Sequence, residues 1–316
     1  MMEQILNKIK EYKKILIHGH KRPDGDCLGS QFGLQSIIKE SFPDKEVYVV
    51  GEVSDYVSFL GTPDTITDDT YNNALVIVVD CGNKDRISDQ RFNLAKEIIK
   101  IDHHEVVEDY GTINYVEVHK AACAQIITEF MVKYNLKISK EGATALYVGI
   151  LTDTGRFRFD SVNGDTLRAA ARLIDLGVDV EYVDARLSIE TMNTIRLKGY
   201  VLENFETTPS GFAYIKMTRD VINRFEVSDE NAAALVSNLG GIEGYPVWAL
   251  FMEYPDNEIR IRLRSRGPRI DLLANQYRGG GHQKASGASL ENWDELEKFI
   301  EDVDNLLKEY KEKMAL

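Results

Sequence analysis

The hydrophobic positions of the chain fall into short runs that stop at polar residues. "KILIHGH" (14–20) is apolar until its polar end, the pattern of a buried parallel strand. "SQFGLQSIIKESF" (30–42) follows at helical spacing, with Phe32, Ile37 and Ile38 on one stripe. "KEVYVVG" (45–51) and "NALVIVVDCG" (73–82) predict two more strands, and "FNLAKEIIKIDHH" (92–104) runs into a fourth. "AACAQIITEFMVKYN" (121–135) predicts a helix, and "GATALYVGILTDTG" (142–155) is apolar up to its polar end. Strands alternating with helices predict an α/β domain over 1–185, with a mostly parallel, Rossmann-like sheet and helices on both faces.

The pattern then changes. Residues 164–205 read as a long helical stretch whose mixed, mostly polar part, 186–206, is expected to connect two domains and to let them open and close. "FAYIKM" and "VWALFMEYPDNEIRIRLRSR" alternate like antiparallel strands joined by a "YPDNE" turn. "NWDELEKFIEDVDNLLKEY" opens with an Asn292…Glu295 capping box. Its apolar residues Leu296, Phe299, Ile300, Val303, Leu307 and Tyr310 recur at helix spacing. A smaller α+β domain over 207–316 is expected, with a cleft between the two.

Composition narrows the classes. The 316 residues are 43% hydrophobic with net charge −13, which disfavours a general duplex-DNA-coating role. Cys27, Cys81 and Cys123 are odd in number and lack CxxC spacing, so a disulfide framework or thiolate zinc site is not expected and reduced thiols in a cytosol fit best. The N-terminal stretch lacks the features of a signal peptide, and no apolar run approaches the ~20 residues needed to span a bilayer. A homodimer suits this size and class.

Several apolar segments lead into an acid. "ILIHGHKRPDGD" delivers His20, Asp24 and Asp26; "LVIVVD" delivers Asp80; "IIKID" delivers Asp102, then His103 and His104; "LYVGILTD" delivers Asp153. If these segments are parallel strands, their carboxyl ends gather at one edge, where open α/β sheets bind ligands. Each piece has a plainer reading: "PDGD" is also an ordinary turn, and Asp80 could cap the next segment. Together, so many carboxylates would repel unless divalent cations joined them. A shell of Asp and His favours Mn²⁺ or Mg²⁺, with Co²⁺, Fe²⁺ or Zn²⁺ compatible. Two ions sharing an aspartate can lower the pKa of a bound water and clamp a phosphate, so phosphoester hydrolysis is the expected chemistry. His18 is expected to pack near the site, His119 to lie in a polar loop or at a helix start, and Phe157 and Phe159 to lie in the core.

The second domain adds charge. In "EIRIRLRSRGPR", Ile259, Ile261 and Leu263 alternate with Arg260, Arg262 and Arg264, and five arginines fall within 260–269. A strand places those three arginines on one face, as a solvated surface or as planar phosphate donors. "RGGGH" (278–282) permits close backbone approach and an anion nest formed by consecutive N–H groups.

The ordered motifs "HKRPDGD", "VVDCG", "DHH" and "TDTGRF", followed by "RLRSRGPRIDLLANQYRGGGHQKASGA" (262–288), resemble those of the DHH–DHHA1 phosphoesterase superfamily, across essentially the whole chain. The compact arrangement is most similar to the NrnA-type branch, oligoribonucleases (nanoRNases) that are also 3′-phosphoadenosine-5′-phosphate (pAp) phosphatases. The resemblance implies one ion on His20, Asp24 and Asp80, and another on Asp26, Asp80, His103 and Asp153, with Mn²⁺ foremost. It implies that His104 faces the substrate while Asp102 orients a histidine, and that Arg262, Arg264, Gly279, Gly280, Gly281 and His282 clamp the nucleotide away from the cut. Arg158 is a candidate for the scissile phosphate. Cys27 stands where many relatives carry a small residue. The implied substrates are short RNA oligonucleotides and pAp. Alternatives are the linear dinucleotide pApA, a RecJ-like single-strand exonuclease, or a catalytically silent nucleotide-binding module.

Overall fold

Polar punctuation decides where the strands of the first half stop, and the structure follows it closely. The computed structural model describes residues 1–314. The chain divides into two compact units, Met1–Ile189 and Glu190–Leu316.

The first unit runs α1 (Met2–Glu11), β1 (Lys14–His18), α2 (Gly25–Ser41), β2 (Glu46–Val50), β3 (Ala74–Val79), β4 (Glu97–Asp102), β5 (Ile113–Val116), α3 (Cys123–Lys133), α4 (Lys140–Asp153), α5 (Gly164–Asp175) and α6 (Val180–Ser188). The strands form one parallel sheet in the order β2-β1-β3-β4-β5. The order reverses between β1 and β3, the position where such sheets open a crevice beyond the strand ends.

Three expectations need correction here. The α-helices cover one sheet face rather than both. Ile15, Ile17, Leu75, Ile77 and Val79 pack with helices α1–α6 in one core. Leu16, Val76 and Val78 face Tyr71, Ile87 and Phe92, carried by short 3₁₀ turns and loops. Residues 54–72 are interrupted by Gly61 and Pro63, and both they and residues 83–95 are rich in Asp and Asn, which favour turns over helix interiors. Second, Asp153 does not end a strand: residues 140–153 are α4, apolar because the helix is enclosed on nearly all sides. A continuous apolar run looks alike in a buried strand and a buried helix. Third, 164–205 is three helices rather than one stretch.

Helix α4 lies close on α2. A Cβ on Gly29 would sit 2.4 Å from the Ala145 carbonyl oxygen, so only glycine permits this approach. The tight pairing sets the C-terminal end of α4, with Asp153, beside the N-terminal turn of α2, with Asp26.

The second unit runs α7 (Met192–Asn204), β6 (Glu206–Thr207), β7 (Phe212–Met217), α8 (Arg219–Phe225), α9 (Asp229–Ala234), β8 (Val247–Glu253), β9 (Ile259–Ser265), α10 (Asp271–Gln276), β10 (Gly280–His282), β11 (Ala285–Leu290) and α11 (Leu296–Met314). Its sheet has the order β10-β11-β9-β8-β7-β6. β8 and β9 are the expected antiparallel hairpin, but β7 pairs with β8 in parallel. β7 and β8 are buried on both faces. Phe212, Tyr214, Val247 and Phe251 pack beneath α11, while Ala213, Ile215, Trp248 and Leu250 pack with Leu197 and Val201 of α7. The N-terminus of α11 is entered through a 3₁₀ turn, where Asn292 accepts from the Asp294 amide and Glu295 reaches back to the Glu291 amide instead of closing the expected box. Among the described residues, no helix is long and apolar enough to cross a membrane.

Candidate metal centre and arginine strand

The loop after β1 enters α2 through "PDGD". Asp24 is the N-cap of α2, and its Oδ1 accepts from the amides of Asp26 and Cys27 at 3.0 Å each. Asp26, in the first helical turn, is buried. Its oxygens accept from the amides of Cys123 (2.6 Å) and Ala124 (2.9 Å). Helix α3 has no capping side chain of its own, so Asp26 caps it from a distant part of the chain. Asp80 follows β3 with φ +55°, a left-handed conformation that an aspartate tolerates better than most residues.

Period-two alternation separates the two histidines after β4. Ile99, Ile101 and His103 share one side, and Lys100, Asp102 and His104 the other. The contacts agree. His103 Nε2 lies 3.3 Å from Asp153 Oδ2, 3.4 Å from Asp80 Oδ1 and 3.8 Å from Asp26 Oδ2. His104 Nδ1 lies 2.8 Å from Asp102 Oδ1. On the other side of Asp80, His20 Nε2 lies 3.5 Å from Asp80 Oδ2 and 3.8 Å from Asp24 Oδ2.

The hydrogen bonds fix which ring nitrogen is available. Nδ1 of His20 donates to the Lys21 carbonyl (2.9 Å), and Nδ1 of His103 to the Lys120 carbonyl (3.2 Å). Both rings therefore present Nε2 to the carboxylates, the arrangement typical of metal-binding imidazoles. His104 commits Nδ1 to Asp102 and leaves Nε2 for other partners. Its Nδ1 also lies 3.6 Å from Asp80 Oδ1, but that nitrogen is already bound. Asp80, His103 and His104 are also close enough together to hold an ion.

The electrostatics describe a site short of positive charge. Burial opposes protonation of His103, but Asp80 and Asp26 outweigh it and raise the imidazole to about 10. Asp24 and Asp80 likewise raise His20 against its burial. Burial would raise Asp80, yet the close imidazoles of His103 and His20 hold it below the usual range. Burial, reinforced by Asp80 and Asp153, raises Asp26 well above it. Asp153 is pushed up to about 6 by burial, with His103 opposing and Asp80 adding to the rise. Asp80 Oδ1 is buried without a hydrogen-bond donor, as suits an oxygen that binds a cation. The side chains of Asp26, His103 and Asp153 converge closely enough for one ion, and those of His20 and Asp80 for another. Cys27 lies within reach of that second pair, a neighbour the sequence did not flag as a donor; Asp24 stands further out and more exposed.

Other residues depart from expectation. His18 is fully buried at the end of β1, but faces Tyr71 and Phe92 across the sheet from the carboxylates, 3.2 Å from the Tyr71 hydroxyl. His119 is exposed, as expected. Arg158 is exposed and donates to the carbonyl of Gly155 (2.8 Å), with none of the site carboxylates among its partners. Phe157 packs against the core, whereas Phe159 is exposed. Lys100, fully buried beside Asp102, was missed; its only signal was a lysine inside an otherwise apolar strand.

In the second unit, Ile259, Ile261 and Leu263 are buried and Arg260, Arg262 and Arg264 share the opposite face. They are not equivalent. Arg260 pairs with Glu258 (2.7 Å) and stacks over Tyr254 (4.1 Å). Arg269 forms a fork with Asp271. Arg262 and Arg264 have no carboxylate partner among the described residues, and Arg264 is half-buried. "GGGH" forms no nest. Gly280–His282 is edge strand β10, paired antiparallel with β11. A Cβ on Gly279 would meet the Gly287 carbonyl oxygen at 2.0 Å, and Gly281 has φ +138°, so the glycines serve close strand approach. His282 is exposed at this edge.

Comparison with known proteins agrees with these features. The profile of the DHH family, N-terminal domain, matches residues 14–150, and that of the DHHA1 domain matches residues 211–309. The bifunctional oligoribonuclease and PAP phosphatase NrnA of Bacillus subtilis is 36% identical over 313 residues, spanning 98% of this chain and 100% of that protein. The probable bifunctional oligoribonuclease and PAP phosphatase NrnA of Streptococcus mutans is 39% identical, spanning 96% of this chain and 98% of that one. A crystal structure of an exopolyphosphatase-related protein from Bacteroides fragilis shares the fold, with a TM-score of 0.87 at 24% identity over 100% of this chain and 97% of that one. Motif order, the two-unit architecture and near-full-length identity thus agree: the chain belongs to the DHH–DHHA1 phosphoesterase family, in its NrnA-type branch.

Proposed function

We propose that this hydrolase releases mononucleotides from RNAs a few residues long and removes the 3′-phosphate of pAp, using two divalent ions, Mn²⁺ foremost. The observation that carries this reading is the convergence on Asp80 of two histidine Nε2 atoms, from His20 and His103, each 3.4–3.5 Å away and on opposite carboxylate oxygens. His20, Asp24 and Asp80 would hold one ion, and Asp26, Asp80, His103 and Asp153 the other, with Cys27 beside the first. When bound, such ions lower the pKa of a water and offset charge on a phosphate.

The chain's own groups supply the rest. His104, with Nδ1 held by Asp102 on a half-exposed ring, keeps Nε2 to donate a hydrogen bond or proton to the phosphate or its leaving oxygen. Asp102 fixes that ring's orientation. Arg262 and Arg264, free of carboxylates among the described residues, suit the distal phosphate as planar donors, with His282 and the backbone of Gly279, Gly280 and Gly281 one strand further, at the sheet edge. Arg158, whose Nε donates to the Gly155 carbonyl, keeps its terminal nitrogens for a phosphate.

A Mn²⁺-dependent assay across pAp, pApA, RNAs of two to ten nucleotides and pyrophosphate tests the reading. The highest kcat/KM is expected for pAp and the shortest RNAs. A marked preference for pApA would instead assign the dinucleotide as substrate, and uniform activity on long strands would refute the proposal.

A further inference from the structure

Lys100 is completely enclosed, and neither the ion-binding groups nor the arginine strand accounts for it. It precedes Asp102 by two residues on β4, so both side chains leave the same face of the strand. An ammonium carries three donors, and three oxygens surround this one: the carbonyls of Gly82 (2.9 Å) and Glu108 (3.1 Å), and Asp102 Oδ2 at 3.4 Å. The Tyr110 ring lies 5.1 Å from Nζ, and its hydroxyl donates to the Cys81 carbonyl at 2.7 Å. The other Asp102 oxygen, Oδ1, accepts from the His103 amide (2.9 Å), the His104 amide (3.3 Å) and His104 Nδ1 (2.8 Å).

A buried ammonium is costly unless its partners are fixed in place. Here the partners are two loops and one carboxylate, and all three border the site. Gly82 lies two residues after Asp80, and Glu108 belongs to the segment that follows His104. Asp102 Oδ2 is buried with no hydrogen-bond donor, which leaves the Lys100 charge to hold that end of the carboxylate.

We infer that Lys100 is a positioning residue: it locks the Asp102 carboxylate so that Oδ1 holds the His104 ring by Nδ1 and leaves Nε2 directed at the phosphate. The inference rests on the reading of His104 as the group facing substrate.

The test uses the full chain carrying Lys100→Met, with Lys100→Arg as a charge-retaining variant whose donors are displaced. Bound metal per chain, kcat and KM for pAp, and the ring-nitrogen NMR signals of His104 with Mg²⁺ as diamagnetic probe are compared with wild type. The expected result for Lys100→Met is unchanged metal content and KM, a kcat lower by about 10–100-fold, and a His104 Nδ1 signal moved from its hydrogen-bonded position. If Lys100→Met fails to fold, the same pattern is expected of Lys100→Arg. A folded, metal-loaded variant with wild-type kcat and unmoved His104 signals would overturn the inference. So would a kcat that falls only in proportion to lost metal. If the wild type hydrolyses none of these phosphoesters, the functional reading fails, and the His104 signals still decide whether Lys100 positions the ring.

Discussion

Asp80→Asn is the sharpest perturbation of the candidate centre. Asparagine has the same shape and tolerates the left-handed backbone at φ +55°, so the fold should survive. What changes is the charge shared by three imidazoles, whose nitrogens lie 3.4–3.6 Å from the carboxylate. If both ions use Asp80, both weaken together. An ion at 100 times its Kd stabilises the folded state by about 2.7 kcal/mol. For the first unit, Met1–Ile189, each kcal/mol moves Tm by ~2–4 °C. One ion should therefore raise Tm by about 5–10 °C in wild type, and two ions by more. In Asp80→Asn the Mn²⁺-dependent rise should fall below about 3 °C. Bound Mn²⁺ should drop below one per chain, and kcat should fall by at least about 10³-fold, equivalent to ~4 kcal/mol. Thermal melts across a Mn²⁺ titration, with metal analysis of the same samples, give the answer. A full wild-type Tm rise with two ions still bound would refute the shared-ligand assignment.

Other outcomes follow from the same geometry. His104→Ala should keep its metal and lose about 10²–10⁴-fold in kcat, whereas His103→Ala should lose metal; the opposite pattern in metal analysis would exchange their roles. Arg264→Ala should raise KM for a short RNA by about tenfold or more with little change in kcat; an unchanged KM would remove it from the substrate site. Burial holds the His18 imidazole near 4 against an ordinary value of 6.5, with Asp89 opposing. The unfolded chain then binds more protons between these values, so stability falls as pH drops through that window, by about 3 kcal/mol in all. His18→Gln should flatten this slope in urea melts of metal-free protein from pH 7 to pH 4, and an unaltered slope would contradict the account.

How far the sequence foretold this arrangement depended on whether a signal was local. Asp80 and "DHH" follow apolar strands directly, so their common edge was legible from hydropathy alone. Alternation on β9 was equally plain, because Ile259, Ile261 and Leu263 are core residues with arginines between them. Asp153 reaches the same site from the end of a buried helix, which apolar composition cannot distinguish from a strand. Asp26 caps α3 across 97 residues of sequence, and no local pattern encodes such a partner. Lys100 gave almost no warning, since its meaning lies in two loop carbonyls and one carboxylate. The glycines of "GGGH" suggested a nest, yet the closeness of β11, a tertiary fact, is what requires them.

Activity measured against bound Mn²⁺ tests the central claim most directly. Metal-stripped protein would be titrated with Mn²⁺ while hydrolysis of pAp and of a two-nucleotide RNA is followed in the same samples. Both activities should be absent without metal and should rise together as the second ion binds. Full turnover of either substrate by the metal-free chain would contradict a metal centre built on Asp80.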